Sequence, residues 1–164
     1  MLAGKKDIRI TLHHNTHKRW LLWIVLILMN ISFADSDLNS GTLQKAGILF
    51  SDASWKAILE TAKTENKLVF IDAYASWCEP CRLLRKKTFP DKEVGALFNQ
   101  HFVNTSINME KGEGPALMKI YPVEAYPTLL ITDANGRLLT YTMGYLTAKQ
   151  LLRFGHYGIS LSKK

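Results

Sequence analysis

The sequence predicts an α/β domain in which strands and amphipathic helices alternate along most of the chain. Three observations carry this expectation. Leu68–Tyr74 is a β-rich apolar run of the kind that fills the centre of a sheet. Before it, Trp55, Ile58, Leu59 and Ala62 recur at helical spacing, with lysines and Glu60 on the other face. After it, Thr128–Thr132 and Arg137–Thr142 flank Asp133-Ala134-Asn135-Gly136, a turn composition that closes a β-hairpin.

The elements follow in order. Ile48-Leu49-Phe50 is short and apolar, suited to a first strand, and the Ser54–Lys63 helix precedes the central strand. Cys81–Lys87 reads as a helix with Arg82, Arg85, Lys86 and Lys87 mostly in solvent. Pro90 breaks or kinks it, and Asp91 can cap a further turn carrying Val94, Leu97 and Phe98. His101–Asn108 alternates as a strand, Gly112–Gly114 is a loop, and Pro115 suits the first turn of a short helix through Ile120. The hairpin comes next, and Gly144 precedes a last helix over Thr147–Phe154. The order is β-α-β-α-β-α-β-β-α, without internal repeat or low-complexity segment.

Residues 1–34 read as a leader rather than part of this fold. Lys5, Lys6, Arg9, Lys18 and Arg19 precede an apolar run from Trp20 to Met29, and Ser32-Phe33-Ala34 offers a small-residue exit before Asp35. These are the parts of a secretory signal. An uncleaved anchor over residues 20–34 is the alternative, although the run falls short of the ~20 apolar residues of a membrane span. The leader holds five basic residues and one acid, so the remainder carries +3 of the chain's +7. That mild charge, with no basic stripe interleaved with aromatics, points away from nucleic acid. Residues 35–46 are mostly polar and expected to form a loose tail.

Cys78 and Cys81 are the only cysteines of the 164 residues, too few for a disulfide scaffold. Two sulfurs separated by two residues at a helix start can close a small disulfide ring and reopen it. The helix N-terminus favours the thiolate of the first. Cys78 is expected to be exposed and to attack; Cys81, one turn further in, is expected to be shielded and to resolve the mixed disulfide. A static bridge is the alternative, but so short a loop adds little stability. Asp72 lies in an apolar strand, where burial should raise its pKa, or else it is a strand-end acid facing solvent. Glu79 works against the Cys78 thiolate and Pro80 stiffens the helix start, both pointing away from a strongly oxidising pair. Trp77 and Tyr74 either pave the surface around Cys78 or belong to the core. His13, His14 and His17 sit in the leader, and His101 and His156 lie far from the cysteines in sequence, so the histidines read as structural or solvated.

This element order, with Trp77-Cys78-Glu79-Pro80-Cys81 after the second strand, resembles the thioredoxin family over roughly Ile48–Phe154. Asp72, six residues before Cys78, matches the family's buried acid. Tyr126-Pro127-Thr128 matches its cis-proline, and Gly144 a glycine before the last helix. The stretch Lys87-Thr88-Phe89-Pro90-Asp91-Lys92-Glu93-Val94 is similar to secreted thioredoxin-like proteins and to the C-terminal domain of the disulfide reductase DsbD. The departures are Glu-Pro between the cysteines, Ser106 at the strand position of a lysine near the buried acid, Tyr74 in place of a tryptophan, and bulky Tyr126 before the proline.

The resemblance implies a thioredoxin fold, a central mixed β-sheet flanked by helices, over residues 47–157, with 158–164 as a tail. It implies a redox-active Cys78–Cys81 disulfide with no other cofactor and no metal, and proton exchange between Asp72 and Cys81. It places Trp77, Pro80, Tyr126, Pro127 and Thr128 at the substrate, with loop backbone left free for a strand-addition contact, while the departures at Glu79 and Tyr74 are expected to tune the potential. The expected activity is secreted thiol–disulfide exchange, reducing or isomerising disulfides of envelope proteins. Such a monomer would draw electrons from a membrane donor, since an oxidising compartment cannot recharge it. An oxidase, or a binding module holding a partner or Cu(I) on the two thiolates, are the alternatives.

Overall fold

The computed structural model describes residues 47–162, so the expected leader, the tail before residue 47 and the last two residues lie outside the described residues. The elements are β1 (Phe50–Ser51), α1 (Trp55–Thr64), β2 (Leu68–Tyr74), α2 (Glu79–Leu83), α3 (Lys92–His101), β3 (Phe102–Asn108), α4 (Gly114–Leu117), β4 (Thr128–Thr132), β5 (Leu138–Met143) and α5 (Ala148–Leu161). α2 continues into a wider π-helical turn, Leu84–Thr88.

The strands form one five-stranded sheet in the order β1-β3-β2-β4-β5. β1, β3 and β2 run parallel, while β4 is antiparallel to β2 and β5 to β4. This is the expected mixed sheet. Alternation along β2 divides the core. Val69, Ile71 and Ala73 join Ile58, Ala62, Val103, Leu117 and Leu130 on one face. Phe70 joins Leu84, Phe89, Phe98, Phe102, Leu129, Ile131 and Leu151 on the other. Each of these side chains larger than alanine contributes about 1.5–3 kcal/mol by leaving water. Asp72 has the parity of Phe70, so it lies on the face covered by α2, α3 and α5.

Three boundaries differ from the sequence reading. Ile48 and Leu49 do not join β1, because the Ile48 N–H donates to the Phe89 carbonyl and the Leu49 N–H to Asn99 Oδ1, both at 2.8 Å. The short helix after Pro115 ends at Leu117, and turn hydrogen bonds carry the chain on to Tyr121. The last helix passes Phe154 and reaches Leu161, so Gly158–Leu161 extend it rather than opening a tail. Packing explains the extra length: Gly158 lies against the Ile131 side chain, and Ile159 packs on the same core.

Candidate active site

The parallel strands β2 and β3 end together, and the chain after β2 is pinned there. The Met109 N–H donates to the Tyr74 carbonyl at 2.9 Å, and Asn108 Nδ2 donates to Ser76 Oγ at 2.8 Å. The turn that follows delivers Cys78 to the N-cap of α2, with Pro80 in its first turn, where a missing N–H costs nothing. The Cys81 N–H donates to Cys78 Sγ at 3.2 Å, an unpaired helix donor aimed at the first sulfur. Cys78 and Cys81 form a disulfide, their Cα atoms 5.4 Å apart.

Both cysteines are only 2% exposed. This corrects the expectation of an exposed Cys78: Tyr74 and Tyr126 pack against the cluster that holds the pair. Trp77, by contrast, is 67% exposed and meets Tyr126 edge to face at 5.7 Å. Its indole Nε1 donates to both carboxylate oxygens of Glu110, at 3.0 and 3.2 Å. The Tyr126–Pro127 bond is cis, as the resemblance implies. Among the described residues neither peptide group of Tyr126 has a hydrogen-bond partner, whereas the Pro127 carbonyl accepts from Gly144. Thr128 is fully buried and its hydroxyl donates to the Ala125 carbonyl at 2.7 Å, so its side chain braces the loop instead of facing a substrate.

Asp72 is fully buried. It faces Leu129 of β4 and Ser106 of β3 in register, which aligns Ser106 with the acid as the resemblance suggests. Ser106 Oγ donates to Asp72 Oδ2 at 2.7 Å, and Arg85 Nη2 donates to Ser106 Oγ at 3.0 Å and approaches Asp72 Oδ2 at 3.5 Å. Among the described residues Asp72 Oδ1 has no hydrogen-bond partner. Burial raises the carboxyl above the ordinary aspartate range, and the Ser106 hydrogen bond and Arg85 charge oppose this without cancelling it. The Arg85 guanidinium lies 3.7 Å from the centre of the Tyr74 ring, so Arg85 is not simply a solvated helix residue. Its place four residues after Cys81, on the same helix face, was the available signal.

Glu79 and Arg82 form an exposed ion pair across one helical turn, so the acid beside Cys78 does not act on it alone. His101 and His156 lie outside this cluster: His101 lines a cavity with Lys67, Asp133 and Arg137 near the β4–β5 turn, and His156 is an exposed residue of α5. Among the described residues no group of three or more His, Cys, Asp or Glu side chains could hold a metal ion, and no helix is long and apolar enough to cross a membrane.

The family model for a thioredoxin-like domain matches residues 55–159. The thiol:disulfide interchange protein DsbD of Tatumella citrea is 32% identical over 96 residues, which are 57% of this chain and 17% of that protein. The DsbD of Haemophilus ducreyi is 36% identical over 91 residues, 54% of this chain and 16% of that protein. The chain thus spans about a sixth of the length of these relatives. Among solved structures, a candidate disulphide-isomerase from Bacteroides thetaiotaomicron superposes with a TM-score of 0.63 at 42% identity, covering 70% of this chain and 94% of that one. The reduced C-terminal domain of Neisseria meningitidis DsbD gives a TM-score of 0.56 at 26% identity, covering 67% and 99%.

Proposed function

The chain belongs to the thioredoxin-like domain family, and from that premise we propose that it is a thiol–disulfide oxidoreductase that reduces or isomerises disulfides in proteins of the bacterial envelope. One observation carries the reading. The two cysteines close a disulfide at a helix N-cap, with the Cys81 N–H directed at Cys78 Sγ. A donor in that place stabilises a thiolate on Cys78 once the pair is reduced.

The reduced pair supplies two electrons and two protons. The Cys78 thiolate attacks one substrate sulfur, the substrate disulfide breaks, and its other sulfur leaves as a thiolate that takes a proton. Cys81 then loses its proton to Asp72 and attacks Cys78, which restores the disulfide and releases the second substrate thiol. Asp72 suits that role because its pKa is raised and Oδ1 is unpartnered. The free peptide groups of Tyr126 can pair with an extended substrate. Trp77 and Pro80 line its path, while the Glu79–Arg82 pair and Tyr74 adjust the potential.

The protein works as a monomer in the periplasm or outside the cell, released or held by residues 20–34, and a membrane electron donor recharges it. The similarity to DsbD, a thiol:disulfide interchange protein, supports this setting. Equilibrating the purified protein with defined thiol buffers tests it. A potential near or below about −220 mV is expected for a reductase, whereas about −120 mV would make it an oxidase. Absence of a reversible disulfide would leave only a binding role.

A further inference from the structure

Glu110 plays no part in the thiol chemistry, yet it is held in place beside it. It lies two residues beyond the end of β3, with its N–H donating to Asn108 Oδ1 at 3.0 Å and both carboxylate oxygens on the Trp77 indole. It forms no ion pair among the described residues, so its charge is unbalanced. That charge adds to burial in raising the Tyr126 phenol. Exposed Trp77 and half-buried Tyr126 beside it form an aromatic pair, and the Tyr126 hydroxyl donates to Met118 Sδ at 3.7 Å.

An acidic segment docking here would be repelled, and an aliphatic one would gain nothing from the carboxylate. A lysine or arginine satisfies both parts, with its stem and charge over the rings and its N–H groups on Glu110. Of the other charges nearby, Glu79 answers Arg82, Arg85 is directed to Asp72 and Ser106, and Lys111, next to Glu110 in sequence, forms no ion pair with it among the described residues. Because Trp77 directly precedes Cys78, a side chain held on it belongs to a residue close to the attacked cysteine.

We propose that Glu110, Trp77 and Tyr126 form a subsite for a cationic side chain flanking the substrate disulfide, so that basic disulfide segments are chosen over acidic ones. This rests on the reading of Cys78 as the attacking sulfur. The selection operates on the two-electron exchange written above and adds no co-reactant.

The test mixes the pre-reduced protein with three disulfide-linked peptides whose cysteine is flanked by Lys, Gln or Glu, and follows single-turnover oxidation by tryptophan fluorescence. Each rate is divided by that of dithiothreitol on the same peptide, which removes the effect of neighbouring charge on the leaving thiol. The expected order is Lys over Gln over Glu, with about three- to tenfold per step, shrinking at high salt. E110Q should lower the rate on the Lys peptide and narrow the order to what the rings alone supply, which a general loss of packing would not do selectively. Equal normalised rates on all three peptides, or an order unchanged by E110Q, would overturn the subsite alone. Reduction of none of them would overturn the thiol–disulfide reading and the subsite with it.

Discussion

At Asp72 the balance between burial and charge has a consequence that can be measured. Its folded pKa is raised, so over the window from the ordinary aspartate range up through the folded pKa the native state binds more protons than the unfolded chain. Stability from this group is therefore full below that window and is lost as pH rises through it. Asp72→Asn should flatten that fall, making the variant gain on wild type in urea denaturation as pH increases. Arg85→Gln removes the cation that opposes burial, so it should carry the loss to higher pH. An unshifted Arg85→Gln curve would show that the guanidinium does not act on the acid. Asp72 itself was legible in the sequence, since an acid inside Leu68–Tyr74 is costly wherever that run is a central strand. For Arg85 the spacing from Cys81 hinted only at a shared helix face; its contact with Asp72 was not legible, because only the β2–β3 register and the stack on Tyr74 turn that cation toward the sheet.

Among the elements, α3 shows how local signals and tertiary contact combine. Asp91 caps it, accepting from the N–H groups of Glu93 and Val94, and this was readable from Pro90-Asp91 ahead of an apolar periodicity. What the sequence conceals is the other side of the helix. A Cβ on Gly95 would collide with the backbone of Gly47, and Asn99, one turn later, donates to the Gly47 carbonyl at 3.0 Å. Gly95 thus lets the chain entering β1 lie directly on α3. Gly95→Ala should cost about 1–3 kcal/mol through this overpacking, read as a lower urea midpoint at unchanged slope. The π-helical turn was equally concealed. The Phe89 N–H reaches back five residues to the Leu84 carbonyl at 2.9 Å, and Thr88, buried, donates its hydroxyl to the Leu146 carbonyl at 2.6 Å. Periodicity alone reads that stretch as ordinary helix.

For the molecule as a whole, the order of elements along the chain followed from the alternation of strand and helix patterns and the final hairpin, because these derive from short-range chemistry, while the mixed sheet was implied by the resemblance to thioredoxins. The features that depend on distant side chains meeting did not. Trp77 and Glu110 are 33 residues apart, and no motif joins them. Nor did any local signal reveal that Cys78 is covered, since the covering comes from Tyr126, on the loop before β4, as well as from nearby Tyr74. That cover amounts to kinetic insulation. A small thiol diffusing up to the oxidised protein meets aromatic surface before sulfur, so leakage of redox equivalents to the bulk thiol pool should be slowed. Reduction by glutathione should accordingly be several-fold faster for Tyr126→Ala than for the native chain. Equal rates would mean that the ring opens faster than glutathione attacks. With that cover in place, a protein surface that engages Tyr126 is expected to reach the disulfide ahead of a small free thiol.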